Sequence, residues 1–181
     1  MTEFVRRLWR ENMLPVTLGV TDGLLSALTL AAASLLGKGT EPSASLAGRI
    51  GCAALVTAAF TMFVADYAER RGRLVRAGRQ LNLTVRGQLA TTRLGKRALR
   101  RSCAAMMLAG LASFTGAGLP ILLGVVLPGP PWVTVLLALS ALAGLGAALA
   151  QTFAANPLRW AAAMGAGGVL VTWIGTVVHI A

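Results

Sequence analysis

Apolar stretches of about twenty residues, long enough to carry an α-helix across roughly 30 Å of hydrocarbon at 1.5 Å per residue, recur along the chain with short polar breaks between them. Five segments have this pattern: residues 15–37, 45–68, 102–127, 132–153 and 158–180. The "PGPP" at 128–131 cannot continue a helix and separates the third from the fourth, and the "AANP" at 154–157 separates the fourth from the fifth. The expected fold is therefore all-α: a polytopic membrane protein with five transmembrane helices, forming a single membrane domain over residues 1–181. The first segment has the basic flank and small residues of a signal peptide. Its apolar stretch exceeds the usual 7–15 residues or so and is interrupted by Asp22, so a retained span is expected.

Composition agrees with a lipid environment. Hydrophobic residues make up 56% of the chain and charged residues 13%, whereas soluble domains are roughly 45–50% apolar and 25% charged. Charge then sets the orientation. Of the 17 Lys and Arg, three precede the first span (Arg6, Arg7, Arg10), eleven lie between spans two and three, and Arg159 lies between spans four and five. Only Lys38 and Arg49 fall toward the other face. Five spans bring all three cation-bearing segments to one side, so the N-terminus is expected in the cytoplasm and the C-terminus outside.

The net charge of +11 is thus concentrated in a basic cytoplasmic or interfacial segment, residues 69–101. Leu74, Leu81, Val85 and Leu89 recur there at nearly helical spacing, which predicts a helix lying at the headgroup level. Arg70, Arg71, Arg73, Arg76 and Arg79 are its candidate contacts to anionic lipid, each cation near the surface being worth about 1 kcal/mol. Nucleic acid is not an expected partner, because no interleaved aromatic residues and no recognisable module accompany the arginines.

Little in the chain suggests enzyme chemistry. There is no Ser/His/Asp set, paired-Cys motif, phosphate loop or zinc signature, so no catalytic residue and no resident cofactor are expected. Cys52 and Cys103 belong to different depths of spans two and three and are read as small buried hydrophobes. His179, the single histidine, is read as interfacial. Four of the six carboxylates, Glu3, Glu11, Glu41 and Glu69, fall in flanks or loops where water solvates them.

Asp22 and Asp66 remain, and both sit inside apolar runs. A carboxylate near the bilayer centre costs about 2.5–3.5 kcal/mol on insertion scales, so it faces a cavity or a partner rather than lipid. The structural alternative for Asp22 is a carboxyl bonded to a Thr or Ser of a neighbouring helix; that for Asp66 is a solvated charge at a helix end. Met62 precedes Asp66 by four residues, which places thioether and carboxylate on one helix face. A hard oxygen beside a soft sulfur suits a borderline divalent ion such as Fe²⁺, whereas an all-oxygen site favours Mg²⁺ or Ca²⁺.

At these residues the chain resembles the vacuolar iron transporter family of five-span divalent-metal/proton exchangers. "LGVTDGLLSALTLAAASLLG" is similar to the family's first helix, with Gly19, Asp22, Gly23 and Ser26 carrying the match. "FTMFVADYAER" is similar to a second-helix segment in which a methionine precedes Gly-Glu-Tyr. Met62 and Tyr67 match there, with Ala65 in place of the glycine and Asp66 in place of the glutamate. "GAGLPILLGVVLP" resembles a third helix broken by glycine and proline, here Gly116, Gly118 and Pro120. "NPLRWAAAMGAGGVLVTWIGTVV" resembles the last helix through Pro157, Leu158, Arg159, Gly165, Gly168, Thr172 and Gly175. The chain departs from the family between spans two and three, where a glutamate-rich metal-binding domain is replaced by the short basic segment.

The resemblance implies a homodimer with a path between two copies of span one, lined by Asp22, Met62 and Asp66. Close-approach glycines point the same way: Gly144 and Gly146 in span four and Gly165, Gly167 and Gly168 in span five offer association surfaces. The expected function is export of Fe²⁺ or Mn²⁺ in exchange for protons, the metal being substrate. Asp22 would be the exchange site, Met62 the soft ligand, and Gly19, Gly23, Gly116, Gly118 and Pro120 the hinge or pathway residues. The rival readings are a non-transporting membrane scaffold whose Arg-rich segment binds anionic lipid or an acidic partner, and a carrier of another cation or small solute. Arginine-rich, lysine-poor composition suggests a GC-rich bacterial genome and hence an inner membrane.

Overall fold

The computed structural model describes residues 2–35, 43–80, 92–126, 130, 132–152 and 155–178. Five helices account for nearly all of them: α1 (Thr2–Leu35), α2 (Ala44–Gln80), α3 (Arg93–Val126), α4 (Trp132–Thr152) and α5 (Pro157–Val178). Among the described residues there is no strand. Helices α1 to α4 are long and apolar enough to cross a membrane.

Local sequence explains where the helices begin. Ser43 Oγ accepts the amide of Leu46 at 3.2 Å ahead of α2, and Asn156 Oδ1 accepts that of Leu158 at 3.0 Å ahead of α5. Pro157 takes the first position of α5, where its missing N–H costs nothing.

Where the helices end differs from expectation. Helix α2 continues through the basic residues to Gln80, and α3 starts at Arg93 rather than at residue 102. At 37 residues α2 is about 55 Å long, nearly twice the hydrocarbon thickness, so its charged half extends beyond the apolar layer. Of the residues on which a helix at the headgroup level was expected, Leu74 lies within α2, and Leu81, Val85 and Leu89 lie outside the described residues. Hydropathy reports where a helix leaves lipid, not where its hydrogen-bond ladder stops. In the same way α1 runs from Thr2 through Pro15 without interruption.

Nor is α3 broken at Pro120. The proline removes the N–H that would bond the Gly116 carbonyl, but proline is accommodated inside membrane helices where neighbours re-satisfy the freed group. Pro120 and Gly118 are buried.

Helix α1 touches all four others, and α3 packs broadly against both α1 and α2. One face of α1 presents Leu24, Leu28 and Ala31 to Val135, Ala138 and Leu142 of α4. Another brings Gly19 and Gly23 onto α3 so closely that a Cβ on Gly19 would meet the Ala109 carbonyl oxygen and one on Gly23 the Ser113 carbonyl oxygen. Gly116 completes the crossing from the α3 side, 2.7 Å being all that would separate its Cβ from the Val20 carbonyl oxygen. Small residues at four-residue spacing let membrane helices approach backbone to backbone, where packing replaces the hydrophobic drive.

The association glycines need a correction. Gly146 packs on the Trp160 carbonyl and Met164, and Gly168 packs on Leu139 and Leu142, so both join α4 to α5 within one chain. Gly144 and Gly167 do face open space.

Candidate functional site

The groove between α1 and α2, floored by α3, holds two cavities that share one residue, Met62. The first, of about 220 Å³, is lined by Asp22 and Gly19 from α1 and by Thr57, Thr61 and Met62 from α2. The second, of about 320 Å³, lies toward the cation-rich end and is lined by Asp66, Arg70 and Arg101 with Leu14 and Pro15. Met62 is buried, packed on Ala105 and Ala109 of α3, and stands where the two cavities meet.

Both aspartates are held by α3. Ser113 Oγ donates to Asp22 Oδ2 at 3.2 Å, and Ser102 Oγ donates to Asp66 Oδ2 at 2.6 Å. The two serines are fully buried. They lie eleven residues apart, three helical turns, so they share one stripe of α3 about 16.5 Å from end to end. That stripe sets the difference in depth between the two carboxylates.

The environments of the acids differ. Asp22 is half-buried and borders the cavity, with Ser113 as its hydrogen-bond partner. Asp66 also receives Arg70 Nε on the same Oδ2 at 2.6 Å, an i,i+4 ion pair along α2. Arg71 and Arg73 are similarly turned onto their own helix, bonding Tyr67 Oη at 3.0 Å and Glu69 respectively, and Tyr67 stacks on Phe63. Arg76 and Arg79, further along α2, are exposed.

Of the residues singled out from sequence, the structure brings Asp22, Met62 and Gly19 to one cavity and Met62 and Asp66 to the next. Gly23 and Gly116 instead form the α1–α3 crossing, and Gly118 has nothing within 4 Å of its Cβ position. Sequence reasoning missed Ser102, Ser113, Thr57, Thr61 and Arg101. Readable signals existed for four of these: the eleven-residue serine spacing on α3, and the threonine pair at 57 and 61 on the helix face preceding Met62. Among the described residues no three His, Cys, Asp or Glu side chains gather.

Ser102 allows a direct test of the lower carboxylate. A hydrogen bond to a charged group contributes about 1.5–3 kcal/mol, so Ser102→Ala is expected to lower unfolding stability in detergent by about that amount. Thr57→Ala, which loses only an exposed bond to the Ala53 carbonyl, is expected to change it by less than about 0.5 kcal/mol.

No family model, curated protein or solved structure matches the chain. The fold by itself defines a class: a helical, multi-pass membrane protein. Within that class, its distinguishing feature is a pair of hydroxyl-anchored carboxylates bordering two cavities that meet at a methionine.

Proposed function

We propose that this protein is a five-span carrier of the bacterial inner membrane that exports a divalent transition metal, Fe²⁺ or Mn²⁺, in exchange for protons. In this reading α5 is the fifth span, the N-terminus is cytoplasmic and the C-terminus external, and two copies associate. The observation that carries it is the placing of the Asp22 carboxylate and Met62 in the wall of one cavity, beside the hydroxyls of Thr57 and Thr61.

Physical chemistry gives those groups their roles. Moving a divalent ion out of an inside-negative compartment costs about 4.6 kcal/mol per 100 mV, so outward transport needs a coupled driving ion. A carboxylate that takes either a metal or a proton supplies that coupling, and proton entry releases the metal. Asp22 is the exchange group, Met62 the soft donor that disfavours Mg²⁺, and the threonine hydroxyls complete an oxygen shell with water. So small a protein ligand set suits a carried ion, which must leave as readily as it binds. Asp66 already holds Arg70 and Ser102 on Oδ2 and would meet a passing ion through its other oxygen.

The reading is tested by Fe²⁺ or Mn²⁺ flux into proteoliposomes holding the full chain, with and without an imposed proton gradient. Gradient-driven flux above that of empty liposomes is expected; flux equal to theirs overturns the carrier. Met62→Leu conserves volume and is expected to hold stability within about 1.5 kcal/mol while lowering the preference for Fe²⁺ over competing Mg²⁺.

One observation favours the scaffold reading instead. Each carboxylate is tied to a buried serine, which is what a residue retained for helix packing requires. Under that reading the aspartates lock α3 to its neighbours, and the exposed Arg76 and Arg79 hold anionic lipid or an acidic partner.

A further inference from the structure

The second cavity has a chemistry of its own. Its lining includes two guanidinium groups and one carboxylate, but Asp66 and Arg70 neutralise one another through their 2.6 Å ion pair. Among the described lining residues, Arg101, exposed on α3, is left as the net charge. The rest of the wall is apolar: Leu14 and Pro15 of α1, Met62, and the alanines 104 and 105 of α3. Leu14 and Leu18, four residues apart on α1, are both more than half exposed and continue this apolar wall along the helix.

A single cation over an apolar wall, at the cation-rich end of the apolar spans, matches an amphiphile with a negative head. We propose that this cavity binds the phosphodiester headgroup of one anionic phospholipid, with Arg101 as its charge partner and an acyl chain lying along Leu14 and Leu18. A free phosphate shares the headgroup chemistry but has no use for the leucine ridge, and a zwitterionic lipid carries a second, positive charge that Arg101 repels. The site differs from the diffuse attraction of the exposed arginines on α2, because it has a defined volume and one bound molecule per chain. It holds whether or not the protein carries metal.

Native mass spectrometry of the full chain released from detergent tests it. Phosphatidylglycerol is expected to remain as one adduct per chain where phosphatidylcholine does not. Arg101→Gln is expected to weaken that adduct about fivefold, the worth of one cation near a lipid surface, while Arg97→Gln, exposed on α3 outside the cavity, leaves it unchanged. Ala104→Leu keeps every charge but fills the cavity from an exposed position, and is expected to weaken the adduct as well. The proposal is overturned if the two lipids bind alike, if Arg97→Gln weakens binding as much as Arg101→Gln, if Ala104→Leu binds as the unaltered chain does, or if inorganic phosphate at equal concentration displaces the lipid.

Discussion

Asp22→Asn is expected to abolish proton-driven metal flux while leaving the protein folded. Asparagine has the same shape as aspartate, and its carbonyl oxygen can accept the Ser113 hydroxyl as Oδ2 does now. The cavity keeps its volume and α1 keeps its tie to α3. What disappears is one negative charge and one titratable proton. At about 4 Å and an effective dielectric of about 20, two unit charges attract by about 4 kcal/mol, and a divalent ion doubles this before its dehydration is subtracted. Loss of that attraction lowers metal affinity by at least about 100-fold, which corresponds to only about 2.7 kcal/mol of net difference. The scaffold reading makes the opposite prediction, since the hydrogen bond is retained: flux is absent from both proteins and their stability is the same. Metal flux of the two purified proteins separates the readings, thermal unfolding checks that both are folded, and equal gradient-driven flux in the variant removes Asp22 as the exchange group.

Gly23→Ala is expected to be the most disruptive single-methyl change in the bundle. The added Cβ would meet the Ser113 carbonyl oxygen, the Ala117 amide nitrogen at 2.7 Å and the Gly116 carbonyl carbon at 3.0 Å. All three are backbone atoms, so no side-chain rotation relieves the contact and α1 must move away from α3. Overpacking of this kind costs about 1–3 kcal/mol, occasionally more. Gly118→Ala, on the same α3 and with nothing within 4 Å of the new methyl, serves as the control and is expected to stay within about 0.5 kcal/mol. Unfolding in detergent checks both. Separation of α1 from α3 also draws Asp22 away from Ser113, so Gly23→Ala is expected to lose any flux together with its stability. Unaltered stability in Gly23→Ala would mean that the backbones do not approach this closely.

This second result changes how the glycines beside Asp22 are understood. Gly19 and Gly23 read as hinge or pathway positions when only their neighbour and their flexibility are visible. Their i,i+4 spacing is equally that of a helix-crossing motif, and the contacts with Ala109 and Ser113 give it that role. Flexibility and close packing use the same residue, and a one-dimensional pattern does not separate them. Gly146 and Gly168 teach the same lesson, being spent on the α4–α5 contact inside one chain.

The serines show the converse. Ser113 lies 91 residues from Asp22 and Ser102 lies 36 from Asp66, so no local window connects either pair. A Thr or Ser of a neighbouring helix is nonetheless the structural alternative that the sequence offers for Asp22, whereas that for Asp66 is a solvated helix-end charge, and the serine spacing went unread. For Asp22 the type of partner was legible; its identity was not.

By itself the sequence determined the solvent in which this protein folds and the helical elements that result. Hydropathy over twenty residues sums many small transfer free energies, and in lipid the backbone must satisfy its own hydrogen bonds within each helix. It also picked out Asp22 and Asp66, because charge in an apolar run is costly wherever the run is placed, and Met62 through its four-residue spacing from Asp66. Tertiary structure alone decided that α2 runs on as helix through the basic residues to Gln80 and that α3 begins at Arg93, that α3 supplies a serine to each aspartate, and that Met62 stands between two cavities. These outcomes depend on rotation and depth of one helix against another. Those are set by backbone contacts a few ångströms across, between residues that are distant in the chain.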